Sequence, residues 1–93
     1  MASLSNQLMA EALGVFVFFS CIYAVGQPIP IALGLLVAIY IFGSVSGGHF
    51  NATVSISKWL VNEINNTQLV GYVLAQLVGA LAAVYVSKSV VGK

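Results

Sequence analysis

The chain has 93 residues, 60% of them hydrophobic and 5% charged, with a formal net charge of +1. That balance lies far outside the range of a soluble globular domain, and it provides neither a basic nor an acidic excess for binding nucleic acid. The only cysteine, Cys21, excludes an intrachain disulfide and reads as a small apolar residue inside a helix.

The N-terminal stretch Met-Ala-Ser-Leu-Ser-Asn-Gln has no basic residue, and Glu11 interrupts the apolar run early, which argues against a cleaved signal peptide. A first membrane span is predicted over 8–25, close to the roughly 20 residues that a bilayer core requires. Gly26-Gln27-Pro28-Ile29-Pro30 reads as a tight connection, because proline restricts both itself and the residue before it. A second span is predicted over 31–45, broken by Gly47 and Gly48. A third runs over 68–86, with Thr67 as its N-cap. In that last span Gly71, Ala75, Gly79 and Ala83 recur every four residues, a small-residue stripe that lets helix backbones approach closely.

Between the second and third spans, Ser46-Gly47-Gly48-His49-Phe50-Asn51-Ala52-Thr53 carries most of the chain's unusual chemistry. Irregular backbone at membrane depth is tolerated only against protein or a water-filled cavity. The expected structure is a segment over 46–60 that dips into the membrane and turns into a short helix. Asn51 is its predicted N-cap, and the polar run Asn62-Glu63-Ile64-Asn65-Asn66 ends it. Glu11 is costly inside a membrane and marks a site by default, either a proton or cation site or a brace for the loop backbone. The brace is favoured because Gln76 offers a second polar group in another helix. His49 lacks the partners for a metal site, so it reads as a loop-stabilising residue. The sequons at Asn51 and Asn65 read as accidental, the first because it lies at membrane depth.

Ser-Gly-Gly-His-Phe-Asn-Ala-Thr-Val-Ser resembles the first signature loop of the aquaporins and glycerol facilitators, usually written SGGHxNPAVT. Ala10-Glu11-Ala12-Leu13-Gly14 resembles the start of that family's first helix, and Gly71-Tyr72-Val73-Leu74-Ala75-Gln76-Leu77-Val78-Gly79-Ala80 resembles its third. Ala38-Ile39-Tyr40 and Val45-Ser46-Gly47 fit the glycerol-facilitator branch. The resemblance covers the whole chain, yet it corresponds only to the first half of a family member. It implies an all-α, multi-pass membrane protein with three transmembrane helices and one re-entrant half-helix, half of an inverted-repeat fold. Glu11 and Gln76 would brace the loop.

The function this implies is a passive channel, with no enzymatic activity, cofactor or bound metal. A half-helix aims the positive end of its dipole at the bilayer midplane. There the Asn51 amide offers two donors, and the carbonyls of Gly47, Gly48, His49 and Phe50 form a line of acceptors. Ala52, Thr53, Val54, Ile31, Leu35 and Ile39 complete the expected lining. Two departures from the family pattern stand out. Ala52 replaces the usual proline at the first helical position, and the chain contains no arginine. Val54 takes the place of the arginine that normally narrows the mouth, beside Ile31 of one subunit and Ile39 with the Gly48 carbonyl of the other. Such mouths are apolar and favour glycerol-like solutes over strict water selectivity.

One three-span unit covers only one side of a pore. The expected partner is a second copy inserted upside down, so that two Asn51 side chains face each other; four such pairs would make eight chains. An odd number of spans puts Lys58 on the N-terminal side and Lys88 and Lys93 on the other; adding the N-terminal amine to the first side leaves almost no positive-inside bias. The alternatives are a non-conducting or hetero-assembling half-subunit, and a small ion-coupled transporter that uses Glu11.

Overall fold

The computed structural model describes residues 2–92 and contains only helices and short connections within them. Lys93, to which the charge argument appeals, lies outside that range. The elements are α1 (Leu4–Ser20), continued by a π-helical turn (Cys21–Val25), then α2 (Pro28–Ser46), α3 (Ala52–Leu60) and α4 (Asn66–Val91). Leu4–Val25, Pro28–Ser46 and Asn66–Val91 are long and apolar enough to cross a membrane. Residues 52–60 form a nine-residue helix that is too short to do so.

Local signals set the ends, in places differently from the sequence expectation. Ser3 caps α1 by accepting from the Asn6 amide at 3.2 Å, so the helix begins a turn ahead of the predicted Leu8. The π turn closes on Gly26, whose amide reaches the Cys21 carbonyl at 3.0 Å with φ at 74°. The tight connection shrinks to Gly26 and Gln27, because Pro28 opens α2. The first helical amides have no intrahelical partner, so proline there forfeits nothing. The N-cap of α4 is Asn65 rather than Thr67. Its side chain accepts from the Gln68 amide at 2.8 Å while Gln68 Oε1 accepts from the Asn65 amide at 2.9 Å, a capping box that begins the helix earlier.

Two close approaches assemble the bundle. Added Cβ atoms would meet Leu8 at Gly71, and Ala12 and Val15 at Gly79, so α1 and α4 advance in the same direction. At Gly79 the obstruction is the Ala12 backbone carbonyl, which has no rotamer by which to move aside. Gly79 and Ala83 are buried, Gly71 and Ala75 half-buried, and the buried face of α4 also takes in Tyr72, Gln76 and Ser87. By contrast α2 runs antiparallel to α1, with Gly34 against Cys21 and Phe18 at one end and Ser46 bonded to Glu11 at the other. The core of Val15, Ala38 and Phe50 lies between them, with Phe18, Phe19, Leu35, Phe42 and Ala80 around it.

Candidate functional site at the re-entrant loop

The chain reverses at the end of α2 through two left-handed glycines, Gly47 at φ 91° and Gly48 at φ 67°. Phe50 follows at φ 53°, a conformation that a bulky side chain rarely adopts and that costs on the order of 1–3 kcal/mol. Its ring is fully buried against Gly14, where a Cβ would collide with it. Burial of the ring and the bonding of its amide hold that backbone in place.

Glu11, itself fully buried, anchors the loop. Its Oε2 accepts from Ser46 Oγ at 2.6 Å and from the His49 amide at 3.1 Å. Its Oε1 accepts from the Phe50 amide at 2.8 Å and from Gln76 Nε2 at 2.9 Å. Both oxygens thus act purely as acceptors, for donors drawn from α2, the loop and α4. Gln76 Nε2 spends its second hydrogen on Ser55 Oγ at 2.8 Å, and Ser55 is hydrogen-bonded to His49 Nδ1 at 2.9 Å. The His49 ring leans on Tyr72, with centroids 4.7 Å apart, and the Tyr72 hydroxyl donates to the Ser46 carbonyl at 2.6 Å. Every group in this cluster restrains either the loop or the first turns of α3.

Part of the restrained loop is open: Gly47 is exposed and Gly48 half-buried, whereas His49 and Phe50 are buried. Among the described residues nothing donates to the carbonyls of Gly47, Gly48, His49 or Phe50. Asn51 caps α3 through Oδ1, which accepts from the Thr53 amide at 2.8 Å, and its side chain is exposed. Ser55 is the only buried residue of α3; Thr53, Val54 and Ile56 are open. Ile39 lies beside Gly48, 3.7 Å from where a Cβ there would sit, and is exposed. Leu35 is half-buried against the core and Ile31 is half-buried. Phe50 and His49 are buried, backbone and side chain alike. Gln7, Gly47, His49, Lys58, Glu63 and Gln68 are among the residues that line an open hollow of about 280 Å³, which includes the Lys58–Glu63 ion pair (2.7 Å).

Sequence reasoning singled out Glu11, His49, Asn51 and Gln76 but passed over Ser46, Ser55 and Tyr72. Their signal was spacing: Ser55 lies one turn past Asn51 on the short helix, and Tyr72 one turn before Gln76. No three-residue group suited to a metal occurs among the described residues.

The family profile described as major intrinsic protein matches residues 1–93. Among curated proteins, the chain is 35% identical over 95 residues to glycerol uptake facilitator protein-like 6 of Lactiplantibacillus plantarum, an alignment covering 92% of this chain and 44% of that protein. It is 33% identical over 93 residues to aquaporin Z of Photorhabdus laumondii, covering 84% of this chain and 40% of that protein. The chain therefore spans less than half the length of these relatives. No solved structure matched it.

Proposed function

The chain belongs to the major intrinsic protein family, and from that membership we propose that it is one subunit of a passive channel for water and small uncharged, glycerol-like solutes. It is an integral multi-pass membrane protein, and the apolar outer faces of its three spans meet lipid. The observation that carries the proposal is the pair of open glycines, Gly47 and Gly48, whose carbonyls accept from nothing among the described residues, near the exposed amide of Asn51 at the N-terminus of α3. At membrane depth such groups are tolerable only against protein or a water-filled cavity, and the second is what a channel provides. The carbonyls of Gly47 and Gly48 replace part of a solute's hydration, the Asn51 amide donates to its oxygen, and the positive end of α3 opposes cations and protons.

One chain supplies one wall of this path. A second copy in the opposite orientation supplies the other, bringing two α3 N-termini together at the midplane. Glu11 and Gln76 brace the loop. The four bonds that hold Glu11 favour this role over ion coupling, because they occupy the carboxylate with structure.

Purified protein in liposomes is expected to speed both osmotic shrinkage in sucrose and re-swelling in glycerol; rates no faster than those of empty liposomes would refute the channel. Val54, 36% exposed near the start of α3, tests the mouth. Val54→Arg adds a charged fork of five donors at each end of a symmetric pore. It is expected to cut glycerol flux more than water flux. An unchanged ratio in a folded variant would remove Val54 from the pore wall.

A further inference from the structure

One buried side chain in the wall of the hollow lined by Gln7, Gly47, Lys58 and Glu63 has hydrogen-bonding capacity to spare. His49 is 7% exposed, and its Nδ1 is engaged by Ser55 Oγ. The hydrogens around Ser55 decide what the other ring nitrogen can do. Ser55 is fully buried, and its hydroxyl carries one hydrogen. Gln76 Nε2 can only donate to Oγ, at 2.8 Å, so the acceptor left for that hydrogen among the described residues is His49 Nδ1, at 2.9 Å. A neutral imidazole that accepts at Nδ1 carries its own proton on Nε2. That N–H donates to nothing among the described residues. It is not sealed in, whereas the equally unpaired Gln76 Oε1 is. An added Cβ at Gly47 would lie 3.4 Å from Nε2, which sets this donor beside an exposed glycine that lines the same hollow.

We propose that the hollow is a binding site for a small neutral polyol such as glycerol, one of whose hydroxyl oxygens accepts from His49 Nε2–H. The proposal deepens the channel reading and rests on it for the choice of solute. Unspent groups of both kinds surround the hollow. Gln7 Nε2 makes no bond among the described residues and can donate. The Gly47 carbonyl and the Glu63 carboxylate can accept, the latter having about four lone-pair sites and one ammonium beside it. Vicinal hydroxyls, each donor and acceptor at once, can meet such a mixed set. A free ion suits it less. The pairing of Lys58 with Glu63 at 2.7 Å balances the nearby charges, and no trio of metal-ligating side chains occurs among the described residues. Gly47 belongs both to the hollow and to the open part of the loop, so a polyol held here stands beside the proposed path.

His49 is the only histidine of the chain, so its ring nitrogens can be observed alone. The full chain, labelled with ¹⁵N-histidine and reconstituted in liposomes, is studied by solid-state NMR at neutral pH. The expected spectrum shows a one-bond N–H coupling at Nε2 and none at Nδ1. Glycerol should shift the Nε2 signal saturably and leave Nδ1 in place, whereas ethanol, with a single hydroxyl, should give no saturable shift. Gln7→Leu should keep the Nδ1 signal of the folded loop and raise the half-saturating glycerol concentration by roughly tenfold, the effect of one lost hydrogen bond. A proton on Nδ1, an Nε2 signal that glycerol does not move, an equal response to ethanol, or half-saturation unaffected by Gln7→Leu would each overturn the site. A saturable Nε2 shift in liposomes no more permeable to glycerol than empty ones would uphold the site and refute the channel. Fast glycerol flux with an unmoved Nε2 signal would refute the site and leave the channel standing.

Discussion

Replacing Glu11 with alanine is expected to remove most of the folded protein recovered in detergent. The substitution strands four donors at once: Ser46 Oγ, the amides of His49 and Phe50, and Gln76 Nε2. Each buried donor without a partner costs about 1–3 kcal/mol, so the sum is comparable with the roughly 5–15 kcal/mol that stabilises a typical domain. Phe50 suffers most, since its left-handed backbone persists only while its amide is held and its ring is packed. Glu11→Gln retains one oxygen but turns an amide toward donors, so it should fall between wild type and alanine. Thermal unfolding in detergent, read by near-UV circular dichroism, ranks the three. Equal midpoints for Glu11→Ala and wild type would mean that the carboxylate does not hold the loop.

The second large effect is expected at Asn51. Asn51→Asp keeps an oxygen to cap α3 but replaces the amide donors with a charge. Losing one donor bond to a passing solute, worth about 1–1.5 kcal/mol, is expected to lower neutral-solute flux by about tenfold. In an inverted pair two carboxylates also meet at the midplane, where they weaken the barrier to cations. Stopped-flow glycerol flux and a pH-sensitive dye in the same liposomes report both changes. Unchanged flux in a folded variant would reduce Asn51 to a cap alone. Asn51→Ala is the less informative change, because losing the cap costs about 1 kcal/mol of stability and mixes folding with transport.

How much of this was legible follows from where each piece of information lies. The spans are visible because apolar runs of bilayer length have few other uses, and the start of α3 because Asn51 follows a pair of glycines that no helix would keep. The early starts of α1 and α4 were missed because their caps, Ser3 and Asn65, sit in polar flanks that hydropathy assigns to loops. Thr67 looked like a cap, but the reciprocal bonds of Asn65 and Gln68 win by satisfying two orphan groups together. The π turn at Cys21–Val25 has no sequence signature. Ser46, Ser55 and Tyr72 escaped notice because single hydroxyls in an apolar chain look incidental until the fold places them around Glu11 and His49. The unused oxygen of Gln76 could not be read from sequence at all, since it depends on which way the amide turns within the cluster.

The central claim, that two copies in opposite orientations share one pore, is tested most directly by topology. Two reporters would be fused after Lys93, one active only in the cytoplasm and one only outside it. The balanced positive charge on either side of the spans, Lys58 and the N-terminal amine against Lys88 and Lys93, predicts activity from both fusions in comparable amounts. Activity from one reporter alone would fix a single orientation and contradict the inverted homodimer.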